Sequence, residues 1–207
     1  MSAVIHPTYF PNIANFTAIL HAADDLVFEM HDNYQKQTYR NRTFIYAANG
    51  KLQLSIPIIH SHKDRQMYRD IKIANTEKWQ SIHWKSLETA YRTSPYFEFY
   101  EDDIQPLFTE EAEYLLDFNI KCFETVLECL QLEVNTSETE VFQKTITNKS
   151  DFRHLANSRK EPKYAFDKYT QIFDDKHGFI SNLSILDLLF HEGPNAISYL
   201  ENQYKHL

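Results

Sequence analysis

Two histidines stand beside groups able to tune an imidazole. His6 opens the stretch His6-Pro7-Thr8-Tyr9-Phe10-Pro11, and His31 is followed at once by Asp32. A carboxylate that hydrogen-bonds an imidazole fixes its tautomer and raises its basicity. His31 oriented by Asp32, with His6 assisting, is therefore a candidate general-base constellation. The block Gln35-Lys36-Gln37-Thr38-Tyr39-Arg40-Asn41-Arg42 follows directly. Arg presents a planar fork to carboxylate or phosphate and Lys a point charge. Lys36, Arg40 and Arg42, with Asn41, are thus candidates to hold an anionic group, and Tyr9 to stack on a base or sugar. His83 and Tyr91 complete the candidate binding set. A turn at 32–33, a solvated surface at 35–42 and a core role for His83 and Tyr91 explain the same residues without any function.

The elements that would position these groups are legible in part. Ala3-Val4-Ile5 reads as a strand ending at His6, and 25–29 as a second strand ending just before His31. Between them Ile13, Phe16, Ile19 and Leu20 share one helical face, with Asn12 as N-cap. Strand, helix and strand make a βαβ opening with parallel pairing, which sets His6 and His31-Asp32 on one sheet edge, where α/β ligands gather. Segments 43–48 and 51–56 flank Asn49-Gly50, the signature of a hairpin with a type I′ turn. Residues 69–73 repeat the strand alternation. Helical spacing joins Trp79, His83, Leu87 and Tyr91, and a second helix is expected from about Thr109 to Leu132. Asn119 interrupts the apolar stripe of that helix and Asp187 that of a buried C-terminal helix beginning near Asn182, so both need partners. Segment 135–175 is polar and loop-rich. The fold expected is a single mixed α/β domain over 1–207: a small sheet with the 43–56 hairpin, packed by three to four helices.

Composition removes several classes. The 207 residues hold only three glycines, Gly50, Gly178 and Gly193, where average usage of roughly 7% gives about 14. Dinucleotide and phosphate-loop motifs, which need clustered glycines, are absent. The net charge of −8 is unevenly spread: 33–63 carries five bases and no acid, while 98–140 carries 13 acids and one base. That distribution argues against nucleic acid; it fits a small anionic substrate held by the 33–63 bases, or equally bases that pair with the acidic helices. No apolar run approaches a membrane span and no basic-apolar leader precedes Pro7, so a cytoplasmic protein is expected. Cys122 and Cys129, about 10 Å apart along a helix, cannot pair, which fits a reducing compartment. No metal-ligand spacing occurs, and the sequence names no cofactor and no oligomeric state.

Taken together, Pro7-x-Tyr9-x-Pro11, Asp25, Lys36, Arg40-Asn41-Arg42, Asn49-Gly50, Ile56-Pro57, Trp79, His83, Tyr91, Pro95-Tyr96-Phe97, and 183–190 with Gly193-Pro194 resemble the WbqC-like protein family. The resemblance covers most of 4–132 and 164–200. It implies a role in O-antigen-like surface polysaccharide biosynthesis: a transferase modifying a nucleotide-activated or amino sugar, with glycine transfer among the implied activities. A non-catalytic binding or scaffold protein of the same pathway, and nucleotidyl transfer, are the competing readings. The chain departs from the family pattern at His6, where Gln is common, and at Met30-His31, where acids are frequent. Its segment 133–163 is short and lacks a Ser/Gly-Tyr-Leu block of longer members, which bears on specificity.

Overall fold

Two short apolar strands seed the architecture. In a computed structural model describing residues 2–59 and 65–207, β1 (Ser2–Ile5) lies parallel to β2 (Asp25–Phe28), with Val4 opposite Val27. Between them runs α1 (Ile13–His21), whose N-cap Asn12 accepts from the Asn15 backbone N–H. Two strands absent from the sequence reading extend the sheet. The first, β5 (Thr136–Glu138), joins β2, and β6 (Ser150–Asp151) joins β1, both parallel, giving the order β5-β2-β1-β6.

The hairpin, β3 (Arg42–Ala47) and β4 (Gly50–Ser55), forms a separate two-stranded sheet. Its turn differs from the expected type I′. Ala47 pairs with Gly50, so Ala48 and Asn49 form the loop and only Gly50 has positive φ, at 98°. The single positive-φ glycine that closes the turn takes up the left-handed conformation, so Asn49 needs none. Residues 69–73 also differ. Tyr68–Asp70 is a 3-10 turn, followed by isolated bridges Ile58–Ile73 and Lys72–Tyr114. The alternation there records burial of Ile71 and Ile73 rather than a strand.

The helices are α2 (Trp79–Tyr91), α3 (Phe97–Ile104), α4 (Leu115–Leu130), α5 (Asp174–His177), α6 (Ile185–Glu192) and α7 (Ala196–Gln203). The start of α4 is later than Thr109 because a Pro106-containing 3-10 turn precedes it and Tyr114 bridges to Lys72. Gly193 closes α6 with positive φ, and Pro194 separates it from α7. The core joins the parallel sheet to α1 and α4: Phe123 of α4 meets Phe28 edge-on at 5.3 Å and Phe16 at 6.3 Å. Burying each such ring stabilises by about 1.5–3 kcal/mol. Among the described residues no helix is long and apolar enough to cross a membrane, and both cysteines are free.

Candidate functional site

The carboxyl ends of β1, β2 and β6 bring three loops together, the place where open parallel sheets collect ligands. His6 follows β1, Asp32 lies shortly after β2, and Arg153 begins the 3-10 turn Arg153–Ala156 after β6. Arg40 arrives from a fourth segment pinned on both sides: Tyr9 N–H donates to Tyr39 O at 2.9 Å, and Tyr39 N–H to Ala156 O at 2.8 Å. A cleft of about 340 Å³ results, lined by His6, Asp32, Arg40, Asp151, Arg153 and Phe142, with Gln35, Thr38 and Asn157 adding polar groups.

One carboxylate oxygen organises the floor. Asp32 Oδ2 lies 3.2 Å from His6 Nε2 and 3.0 Å from an Arg40 terminal nitrogen. Burial opposes ionisation of Asp32, but the His6 hydrogen bond and the Arg40 charge outweigh it and hold the carboxyl below its usual range. Burial, with repulsion from Arg40, lowers His6 to about 4 against the pull of Asp32, so the imidazole is neutral near pH 7. Neutral His6 then donates from Nε2 to Asp32 and keeps its lone pair on Nδ1. That Nδ1 and the Arg40 Nε are both covered and have no hydrogen-bond partner among the described residues. Buried polar groups are almost always paired; both residues line the cleft, but these two atoms have no surface open to it, so they would reach a ligand only if the floor shifts.

The cleft is braced from beneath. Asn119 donates both to the Arg40 carbonyl, at 2.6 Å, and to the Tyr68 hydroxyl. Tyr68 donates to the Pro7 carbonyl at 2.8 Å, and its ring lies 5.4 Å below the Arg40 guanidinium. The polar interruption of the α4 stripe thus ties the His6 loop to Arg40. Phe10 in the same loop sits at φ 40°, a left-handed position that costs a non-glycine residue about 1–2 kcal/mol. Its carbonyl is held by the Thr43 and Ser184 hydroxyls at 3.1 and 3.3 Å.

The second wall is an ionic clamp that sequence reasoning missed. Arg153 grips Asp151 in a fork at 2.8 and 2.7 Å and reaches the fully buried Glu29 at 3.2 Å. The Asp151 hydrogen bonds raise its pKa and lower that of Asp151. Its remaining N–H groups hold the carbonyls of Gln143 and Lys144, which sets Phe142 at the rim. A lone Arg in a polar segment gives no periodic signal, and Asp151-x-Arg153 offers only a spacing.

The structure gathers the expected residues unevenly. His6, Asp32 and Arg40 meet in the cleft, but Asp32 orients His6 and not His31, because β1 and β2 bring His6 directly over its carboxylate. The His31 Nδ1 lies 3.4 Å from an Arg69 nitrogen, and its backbone N–H donates to Glu29. Lys36 is exposed, Arg42 lies on β3 against Gln53 at 3.4 Å, and neither lines the cleft. Asn41 is a brace whose amide donates to the Ile56 carbonyl at 3.1 Å. Lys63 of the acid-free stretch lies outside the described residues.

Tyr9, His83 and Tyr91 lie in the interior. Tyr9 is fully buried, and its hydroxyl donates to His83 Nδ1 at 2.9 Å. Burial lowers His83 to about 4, against its bond to the Ser55 backbone. Tyr91 donates to Asp187 at 2.7 Å. The α2 stripe that carries His83 and Tyr91 is core.

The WbqC-like protein family matches residues 6–163, which span three of the four strands of the parallel sheet and every cleft residue named above. A protein of Mycobacterium tuberculosis (strain ATCC 25618 / H37Rv), the uncharacterized protein Rv1507c, is 21% identical over 224 residues, covering 96% of each chain. No solved structure matches the chain.

Proposed function

From the premise that the chain belongs to the WbqC-like protein family, we propose that it is a transferase of surface polysaccharide biosynthesis. It would modify a hydroxyl or amine of a sugar carried on an activated precursor. The observation that carries this reading is the His6–Asp32–Arg40 cluster on the cleft floor, with its unpaired His6 Nδ1. In the proposed step a sugar nitrogen or oxygen bonds the carbonyl carbon of an activated acyl donor. The bond to the donor's leaving group breaks, and the proton of the attacking group passes to His6. Asp32, fixed at Nε2, would stabilise the resulting imidazolium, and the Arg40 guanidinium would steady oxygen charge as it develops. The scheme requires the covered His6 Nδ1 to open to the cleft, and His6 and Arg40 then touch the reacting atoms; Asp32, Asn119 and Tyr68 are positioning residues.

The covering of the His6 Nδ1 favours a second reading, a protein that binds such a sugar without transforming it. A thermal-shift screen against sugar nucleotides and amino sugars, followed by mass spectrometry of the sugar with acyl donors, separates the two. Transfer by the native protein, with at least about a hundredfold loss in His6→Gln, is the expected result. Binding with no mass change under any donor would leave only the second reading. No stabilisation by any sugar or sugar nucleotide would defeat both.

A further inference from the structure

The charges of the cleft are already spent on one another. Arg40 is paired with Asp32, and Arg153 with Asp151 and Glu29. With His6 neutral, two guanidinium groups meet two carboxylates in the lining, Glu29 holds Arg153 from the buried side, and His154 stands against the Asp151 carbonyl. A phosphate or carboxylate entering here would meet no surplus cation, and Lys36 and Arg42, the bases best placed in sequence to supply one, lie outside the lining. An anion also needs donors alone, whereas this lining alternates. The Asn157 and Gln35 amides donate, and the Asp151 carboxylate and the amide oxygens accept. At the rim Phe142 is 42% exposed, an apolar face beside a polar floor. The volume of about 340 Å³ lies at the small end of ligand sites, enough for one ring but not for a nucleotide with its sugar.

We infer that the cleft takes a single polyhydroxylated ring, uncharged or bearing an amine, and that any phosphate of the substrate stays outside it. The inference rests on the reading of this cleft as the substrate site, and it replaces phosphate capture by the Arg40 region with recognition of the ring itself. Donors and acceptors would engage hydroxyls in both senses, Phe142 would cover the C–H face of the ring, and the paired charges would leave no net attraction for an anion.

Calorimetric titration of the full chain with D-glucosamine, N-acetyl-D-glucosamine and inorganic phosphate tests it. At least one sugar should bind, and excess phosphate should leave its affinity unchanged within about twofold, because the two do not share a site. Phe142→Ala, at an exposed position, should weaken the sugar about tenfold, and Asp151→Asn by a similar factor, with thermal melting confirming that each variant folds. Phosphate that competes with the sugar overturns the inference, and so does failure of both sugars to bind. The two proposals fail separately. Sugar binding together with undiminished transfer by His6→Gln sinks the catalytic role and leaves ring recognition standing. Phosphate in the cleft together with an inactive His6→Gln does the reverse.

Discussion

Two buried polar clusters lie in this molecule, and they are finished to different degrees. Around Asp187 of α6 every partner is supplied from within. Tyr91 donates to one carboxylate oxygen at 2.7 Å, and Tyr169 and Gln171 donate to the other at 2.5 and 3.0 Å. Gln171 also exchanges hydrogen bonds with the Ile180 backbone. His191 stands 2.6 Å from the Asp187 carbonyl and accepts from the Ile172 N–H at 3.1 Å. The Tyr91 hydroxyl accepts from the Tyr46 N–H at 3.0 Å, so the cluster also anchors β3. Around Asp32 the same chemistry stops short, leaving the His6 Nδ1 and Arg40 Nε unpaired beside a cleft. A closed network specifies a structure; an open one keeps capacity for a ligand.

The sharpest way to break this comparison is to remove each centre. Asp187→Ala leaves two tyrosine hydroxyls and a glutamine amide facing an empty carboxylate site. It should cost about 3–5 kcal/mol in chemical denaturation, the scale seen when one partner of a buried charged network is removed. A loss below about 1 kcal/mol would show that the closed network is no brace. Two histidines give the next largest effect. His6 and His83 are both lowered to about 4, whereas an unfolded imidazole titrates near 6.5. Between those values the unfolded chain binds the extra protons. Stability therefore falls as pH drops from 6.5 toward 4, by up to about 1.4 kcal/mol per pH unit for each histidine. Denaturation at pH 7 and pH 5 should show this slope, and His6→Gln and His83→Gln should each remove its own share. A slope indifferent to both substitutions would mean that neither imidazole is held neutral.

The smallest expected effect on stability belongs to the open cluster. Neutralising both partners, as Asp32→Asn with Arg40→Met, removes a buried ion pair together, which changes stability by no more than about 1 kcal/mol. Sugar affinity should nevertheless drop at least about tenfold. A large unfolding penalty with intact binding would reverse the roles assigned to the two clusters.

What could be read from the sequence follows the same division. The βαβ opening, the hairpin and the α2 and α4 stripes show because their apolar residues repeat at the period of the element that buries them. Asn119 and Asp187 show as breaks in such stripes, and both proved to be bracing residues with named partners. By contrast β5 is Thr136-Ser137-Glu138 and β6 is Ser150-Asp151, short edge strands with no apolar period. Their recruitment depends on the finished β1 and β2. Arg153 and its buried partner Glu29 were invisible for the same reason, since they meet only when β2 and β6 are in place. The pairing of Asp32 with His6 rather than His31 likewise depends on how far the chain turns after β2.

The strand order carries a consequence for synthesis. The strands β1 and β6 are neighbours in the sheet but lie about 145 residues apart in the chain. At ribosomal rates of about 5–20 residues per second, His6 is made roughly 7–30 s before Arg153. For that interval the wall of the cleft formed by Asp151 and Arg153 is missing. A ligand that needs this wall would therefore stabilise completed molecules but no nascent or truncated form lacking β6.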